Sequence, residues 1–249
     1  MKMTVLGHLE ELRWGIIRCI IYIVLMSCIA LFFADRILEI IKYPSKNLID
    51  GFLILKPAES ITIYMKTVIF SGIIAAAPAI MREFFHFIKP AAGAKQSLSV
   101  SLYVLTAFSL FIMGAVFVYF IVLPKAISFL MSLSVGLTGT LAQITLTSYV
   151  SFVFALLLCG GLIFQIPLAA FILTKIGLLT PQFLTSRRKE AYFILVVFAA
   201  VITPTTDAFS MIMFVIPMIL LYEIGIVFSK AVYKSQLKKI GEDYVNQNQ

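Results

Sequence analysis

From Leu98 to Leu123 the chain carries no charged side chain. Within that run, SLYVLTAFSLFIMGAVFVYFIVLP is apolar on every face of a helix. A helix buried in a soluble core keeps a polar side, whereas one that faces hydrocarbon does not. About 20 residues suffice to cross a core of about 30 Å. Three other runs have comparable length and character: Ile16 to Ala34, Ile63 to Ile88 with Lys66 near its start, and Tyr149 to Leu173. Two further runs are shorter. Residues 191–202 would cover only about 18 Å as a helix. The last span, 208–228, contains Pro217 and Glu223. Between them lies TPTTD, residues 203–207, whose Pro204 and Asp207 predict a hairpin rather than one broken helix. Two short helices side by side imply tilt or a locally thinned bilayer. The expected fold is an all-α integral membrane protein of six transmembrane helices, forming one domain over residues 1–249.

The balance of residue types agrees: 61% are hydrophobic and 13% charged, too little charge to cover a soluble surface of this size. The net charge of +8 is unevenly distributed. With the N-terminus inside, segments 1–18, 82–98, 174–190 and 229–249 hold fourteen of the twenty Lys and Arg residues. The outer segment 124–148 holds only Lys125, and 203–207 holds none; four in residues 35–62 are offset by four acids. Basic residues favour cytoplasmic loops, so both termini are expected in the cytoplasm of a multi-pass cell-membrane protein. This explains the basic balance without nucleic acid. The first apolar run is read as a retained helix, because Glu10 and Glu11 precede it and no small-residue cleavage pattern follows. Residues 35–62 contain short amphipathic stretches with Pro44 and Pro57. Residues 124–148 read as a mild, Ser/Thr-rich outer loop.

The residues that carry chemistry are few. No phosphate-cradling loop, HExxH, CxxC or nucleophile elbow is present, which argues against an enzyme, a metal site or a cofactor. The only histidines, His8 and His86, both fall on the expected inner side. Cys19, Cys28 and Cys159 lie in apolar runs and read as small buried hydrophobes. The segment HLEELR, residues 8–13, reads as a short amphipathic helix with Leu9 and Leu12 on one face and Glu10, Glu11 and Arg13 pointing away. Two readings stand on the residues alone. Glu10 and Arg13 form a helix-stabilising pair at i,i+3, or a carboxylate is presented to a cation, ideally a guanidinium fork. Asp207 reads as a turn residue or a partner contact. Glu223 reads as paired with Lys230 or reaching toward the interface. Lys66 is expected to reach the outer interface, and Arg187-Arg188-Lys189 to anchor topology.

HLEELR at the inner start of a six-helix protein resembles the signature of the TatC family, the multi-spanning subunit of the twin-arginine protein translocase. The resemblance continues through Phe87-Ile88-Lys89-Pro90-Ala91, GAVFVYFIVLP (114–124), Tyr149-Val150-Ser151-Phe152, the Thr203-Pro204 to Asp207 turn and Tyr222-Glu223-Ile224-Gly225. It therefore covers nearly the whole chain in order. It implies a cupped bundle with cytoplasmic termini, recognition of signal peptides with consecutive arginines, and recruitment of small single-span TatA/TatB-type subunits. It also implies self-association in the complex and export of folded proteins driven by the proton-motive force. Carried onto this sequence, it implies a signal-peptide site containing His8, Glu11, Arg13, Phe87, Pro90 and Gln96.

The sequence departs from the family pattern at two positions. Six residues after Pro90, where the family usually has an acid, stands Gln96. Either binding is weaker, or Glu10 or Glu83 supplies the charge. In the fourth helix, FQIP puts Gln165 where the family usually has Glu. Gln keeps the hydrogen bonding and loses the titration, so a proton relay through this position is not expected; a bond to a neighbouring helix or a water is. Gln165, Asp207 and Glu223 are the intramembrane polar or partner-contact candidates. A secondary transporter of a small molecule or ion is the alternative function. Internal repeats and a rich midplane polar set would support it, but no repeat is found and the polar set is mainly Gln165.

Overall fold

The computed structural model describes residues 5–46, 48–49, 51–88, 100–138, 143–202 and 208–247, and these are helical almost throughout. Among the described residues, five helical stretches are long and apolar enough to cross a membrane: Leu9–Leu31, Ala58–Ile88, Val100–Gly136, Leu146–Lys175 and Met211–Leu237. The helices divide into two compact units, one from the N-terminal helix to Gly161 and one from Leu162 onward.

In the first unit, helices α1 (Val5–Leu31) and α3 (Ala58–Ile88) run antiparallel. Rising numbers on α1 meet falling numbers on α3: Glu11 with His86, Arg18 with Glu83, Ser27 with Gly72. The last contact is backbone to backbone. A Cβ built on Gly72 would lie 2.8 Å from both the Ser27 Cα and its nitrogen, so only glycine allows this approach. Between these helices lies α2 (Ala34–Lys42), which is amphipathic and buries Ala34 and Ile41. At its C-terminal end the Tyr43 N–H donates to Ile40 O, and side chains from other helices add to the last carbonyls. The Tyr119 hydroxyl donates to Ile40 O and the Tyr149 hydroxyl to Ile41 O, each at 2.7 Å. The chain beyond α2 is fixed by Leu53, which exchanges backbone hydrogen bonds with Ile144 and Leu146 at 3.1 Å.

The remaining helices of this unit correct the sequence reading of residues 124–148 as an outer loop. Helix α4 (Val100–Phe117) passes through a π-helical turn, Val118–Val122, into α5 (Leu123–Thr138). Pro124 has no N–H to donate, and in an ordinary α-helix its ring would press on the carbonyl four residues back. The wider turn placed just before it, in which Leu123 N–H donates to Val118 O, lets the helix continue. Helix α6 (Leu146–Ile163) packs closely on this element. A Cβ on Gly160 would meet Val118 Cγ2 at 2.3 Å, and one on Gly161 would meet the Phe111 ring at 2.4 Å. Helix α6 runs parallel to α3, with Phe70 stacked on Phe154 at 5.1 Å.

In the second unit, α7 (Ile166–Lys175) begins after a break at Phe164–Gln165. Pro167 cannot donate to the carbonyl of Ile163, where α6 ends. Helix α7 closes on Gly177, at φ +82, with Leu178 N donating to Leu173 O and Gly177 N to Thr174 O. This is a Schellman cap, which requires the left-handed region that glycine reaches freely. Thr180 then caps α8 (Pro181–Ser186), its hydroxyl accepting from Phe183 N at 3.2 Å. Helices α9 (Arg188–Ile202) and α10 (Ala208–Gln247) run antiparallel, as a hairpin requires, although residues 203–207 lie outside the described residues. Helix α9 has 15 residues and is about 22 Å long. The last helix does not end at residue 228: α10 continues for 40 residues, through Pro217 and through the charged but helix-favouring tail after Ser229. It lies parallel to α7: a Cβ on Gly225 would meet Ala170 Cβ at 3.1 Å, and the buried hydroxyls of Thr174 and Ser229 are 2.6 Å apart.

The Ser27–Gly72 contact predicts a local failure of packing. Gly72→Ala is expected to destabilise the protein in detergent by about 1–3 kcal/mol, lowering Tm by several degrees. Gly136→Ala, where a new Cβ meets nothing within 4 Å, is expected to leave Tm unchanged or raised. Equal melting of Gly72→Ala and the wild type would refute the close approach.

Candidate functional site

At the end of the first unit where α1 begins and α3 finishes, the two helices line a half-open cavity of about 250 Å³. Along α1, the residues turned toward α3 recur with helical spacing: Glu11, Gly15, Cys19, Tyr22, Met26 and Ala30 are each buried or half-buried. Leu9 and Leu12, which the sequence reading placed on one face, are 57% and 40% exposed. Glu11 is the inward residue, its side chain only 20% exposed. Leu9, Glu10, Leu12 and Arg13 are thus exposed, and Glu11 alone of these residues turns in.

The cavity walls are mainly apolar, from Ile16, Ile20, Ile80 and Phe84, and charged groups line its rim. Glu11 Oε1 lies 3.5 Å from His86 Nδ1. Arg18 Nη1 donates to Glu83 Oε2 at 2.9 Å, with the Glu83 side chain 11% exposed and Arg18 46% exposed. Phe87 is half-buried and joins the lining. Glu83, His86 and Phe87 occupy one face of α3 by their i,i+3 and i,i+4 spacing.

Of the residues singled out in the sequence, Glu11 and Phe87 come together here. Arg13 is exposed and does not line the cavity. His8 belongs to α1, but its side chain lies outside the described residues, as do Pro90, Gln96 and Asp207 altogether. Arg18 and His86 were not singled out as site residues, and Glu83 only as a substitute acid. The signal for Arg18 was its i,i+7 spacing from Glu11, two turns along the same face.

In the second unit, Glu223 pairs with Arg188 rather than with Lys230. Arg188 Nη2 donates to Glu223 Oε2 at 2.8 Å, and the Tyr192 hydroxyl donates to Oε1 at 2.5 Å. Arg188 is therefore more than a topology anchor. The Tyr222 ring packs edge-on against Tyr192 at 5.9 Å, and its hydroxyl donates to Leu184 O at 2.9 Å. Gln165 is half-buried at the start of α7; its backbone N donates to Leu162 O, and its own carbonyl accepts from Ala169 N at 2.8 Å. Lys66, in α3, donates to the Ser151 hydroxyl of α6 at 2.7 Å. The three cysteines are free, and Cys28 is exposed rather than buried. Among the described residues no group of three His, Cys, Asp or Glu could hold a metal ion.

Residues 7–217 match the family model described as TatC, Sec-independent protein translocase protein. The TatC of Aquifex aeolicus (strain VF5) is 38% identical over 238 residues, covering 92% of this chain and 95% of the relative. TatCd of Bacillus subtilis (strain 168) is 32% identical over 234 residues, covering 94% of each. A crystal structure of the twin-arginine translocase receptor TatC superposes with a TM-score of 0.79 at 35% identity, covering 90% of this chain and 99% of that one. A second crystal structure of that receptor gives a TM-score of 0.80 over 89% of this chain. Five apolar spans, helix order and similarity along nearly the full length agree: this membrane protein belongs to the TatC family of Sec-independent protein translocase proteins.

Proposed function

We propose that this chain is the signal-peptide receptor and core scaffold of a twin-arginine translocase, exporting folded proteins across the cell membrane at the expense of the proton-motive force. The observation that carries the reading is an inward-facing carboxylate, Glu11, on the wall of an apolar cavity between α1 and α3. A carboxylate shielded from water discriminates among cations, because a guanidinium forms two parallel bonds to it and an ammonium acts only as a point charge. Phe84 and Phe87 offer ring surface to the aliphatic part of an arginine or to the apolar residues of a signal peptide. The family resemblance adds His8, Arg13, Pro90 and Gln96 to the proposed recognition patch.

The same reading assigns six spans with both termini cytoplasmic, α9 being the short fifth. A helix of about 22 Å favours a thinned bilayer beside it, where single-span TatA/TatB-type subunits would collect and copies of this chain would assemble. Gln165, Asp207 and Glu223 are the proposed polar contacts within that region. Glu223 holds Arg188 and Tyr192, so it orders the α9–α10 hairpin on which such a partner would rest.

Two measurements test this. In nanodiscs, a synthetic peptide with two consecutive arginines is expected to bind at least tenfold more tightly than its twin-lysine counterpart. Glu11→Gln is expected to weaken arginine-peptide binding ten- to a hundredfold, as loss of a charge-assisted bond implies. Equal binding of the two peptides to the wild type would overturn the receptor assignment. For topology, Gly7→Cys in a variant lacking the native cysteines is expected to react with a membrane-impermeant maleimide only from the cytoplasmic side. Labelling of intact cells from outside would refute the orientation.

A further inference from the structure

We infer that Glu83 is a second guanidinium acceptor of this cavity and that Arg18 is its resident occupant, displaced when an arginine-bearing peptide enters. The inference rests on the receptor reading above and names the residues that would set its two-arginine specificity.

Glu83 and Glu11 line one cavity from opposite helices. They are close along the axis, because Glu11 contacts His86 and His86 is one helical turn from Glu83. The cavity, at about 250 Å³, is smaller than pockets that take whole small molecules; it suits side chains. Two acids therefore face a space of side-chain size.

The Glu83 side chain is 11% exposed, and a carboxylate so enclosed needs a cation. Arg18 provides one: it stands across the antiparallel pair from Glu83, two turns along α1 from Glu11. The contact that results uses one nitrogen on one oxygen, at 2.9 Å, and leaves the Arg18 side chain 46% exposed. A single-point contact from a half-exposed arginine is easier to exchange than a two-point one.

An incoming guanidinium can replace Arg18 without leaving Glu83 uncompensated, and it can use both carboxylate oxygens where Arg18 uses one. Arg18, already half in solvent, moves fully into it. Glu11 meets one arginine of a consecutive pair and Glu83 the other. Selectivity for two arginines over one then comes from two acids on two helices, the second of which is guarded by an internal competitor.

The test uses the full-length protein in nanodiscs with three synthetic peptides, carrying Arg-Arg, Arg-Gln or Gln-Arg at the paired positions. Arg18→Gln is expected to bind the Arg-Arg peptide three- to tenfold more tightly than the wild type. Glu83→Gln is expected to bind it at least tenfold more weakly, while binding one of the single-arginine peptides as the wild type does. Should Glu83→Gln fail to fold, Arg18→Gln/Glu83→Gln leaves neither charge unpaired and is expected to show the same tenfold loss. Wild-type affinity for the Arg-Arg peptide in both Glu83 variants would overturn the inference, as would unchanged affinity in Arg18→Gln. In those cases a persistent loss in Glu11→Gln would leave the receptor reading standing. A wild type that does not prefer arginine to lysine would instead refute that reading itself.

Discussion

Between two helices in lipid, burying apolar side chains gains little, because the surrounding hydrocarbon is as apolar as they are. Position must come from close backbone approach and from polar contacts. Helix α1 illustrates this: only 6% of its apolar stretch is buried, and its tightest contact is Ser27 against Gly72. That contact sets the register of α1 on α3, and the register decides which residues meet where α1 begins. Glu11 opposes His86 and Arg18 opposes Glu83 because the helices are held antiparallel at Gly72. The same device recurs where Gly160 and Gly161 admit Val118 and Phe111, and where Gly225 admits Ala170. The cavity is thus a consequence of helix packing several turns away.

The backbone follows a second rule of apolar surroundings, that freed carbonyls and missing donors must be accommodated locally. Tyr119 and Tyr149 answer the last carbonyls of α2. Gln236 answers Lys175 O at the end of α7, at 2.8 Å. Pro124 is met by a π turn, in which Leu123 N–H reaches Val118 O, and Pro167 by a two-residue turn at Phe164–Gln165 between α6 and α7.

These rules explain what the sequence made legible. Uniformly apolar runs located the long spans, since hydropathy depends only on lipid exposure. Ends were less legible. Pro124 reads as a stop in the sequence, and nothing local announces that Val118–Val122 will absorb it. The tail after Ser229 reads as a charged exit segment, yet its residues favour helix and α10 simply continues. In HLEELR the sequence puts Leu9 and Leu12 on one face and turns Glu10, Glu11 and Arg13 away from it, without saying which face packs. Glu11 turns toward His86 of α3, and the leucines stay exposed. Arg18 and Glu83 were visible as charges but not as a pair, because their meeting depends on the register fixed at Gly72.

Two Arg–Glu pairs of nearly equal length have different standing in this fold. Arg188–Glu223 spans 2.8 Å, and Glu223 also accepts from Tyr192 at 2.5 Å, so both of its oxygens are engaged. Both donors come from the first turns of α9, whose course is fixed by packing on α10. Removing either would expose a carboxylate satisfied from two directions. Arg18–Glu83 spans 2.9 Å, but through one oxygen, beside a cavity, with an arginine whose side chain is half-exposed. Distance alone does not separate these pairs. The number of bonds on the acid, and the space beside it, make the first a brace for a hairpin and the second an exchangeable contact.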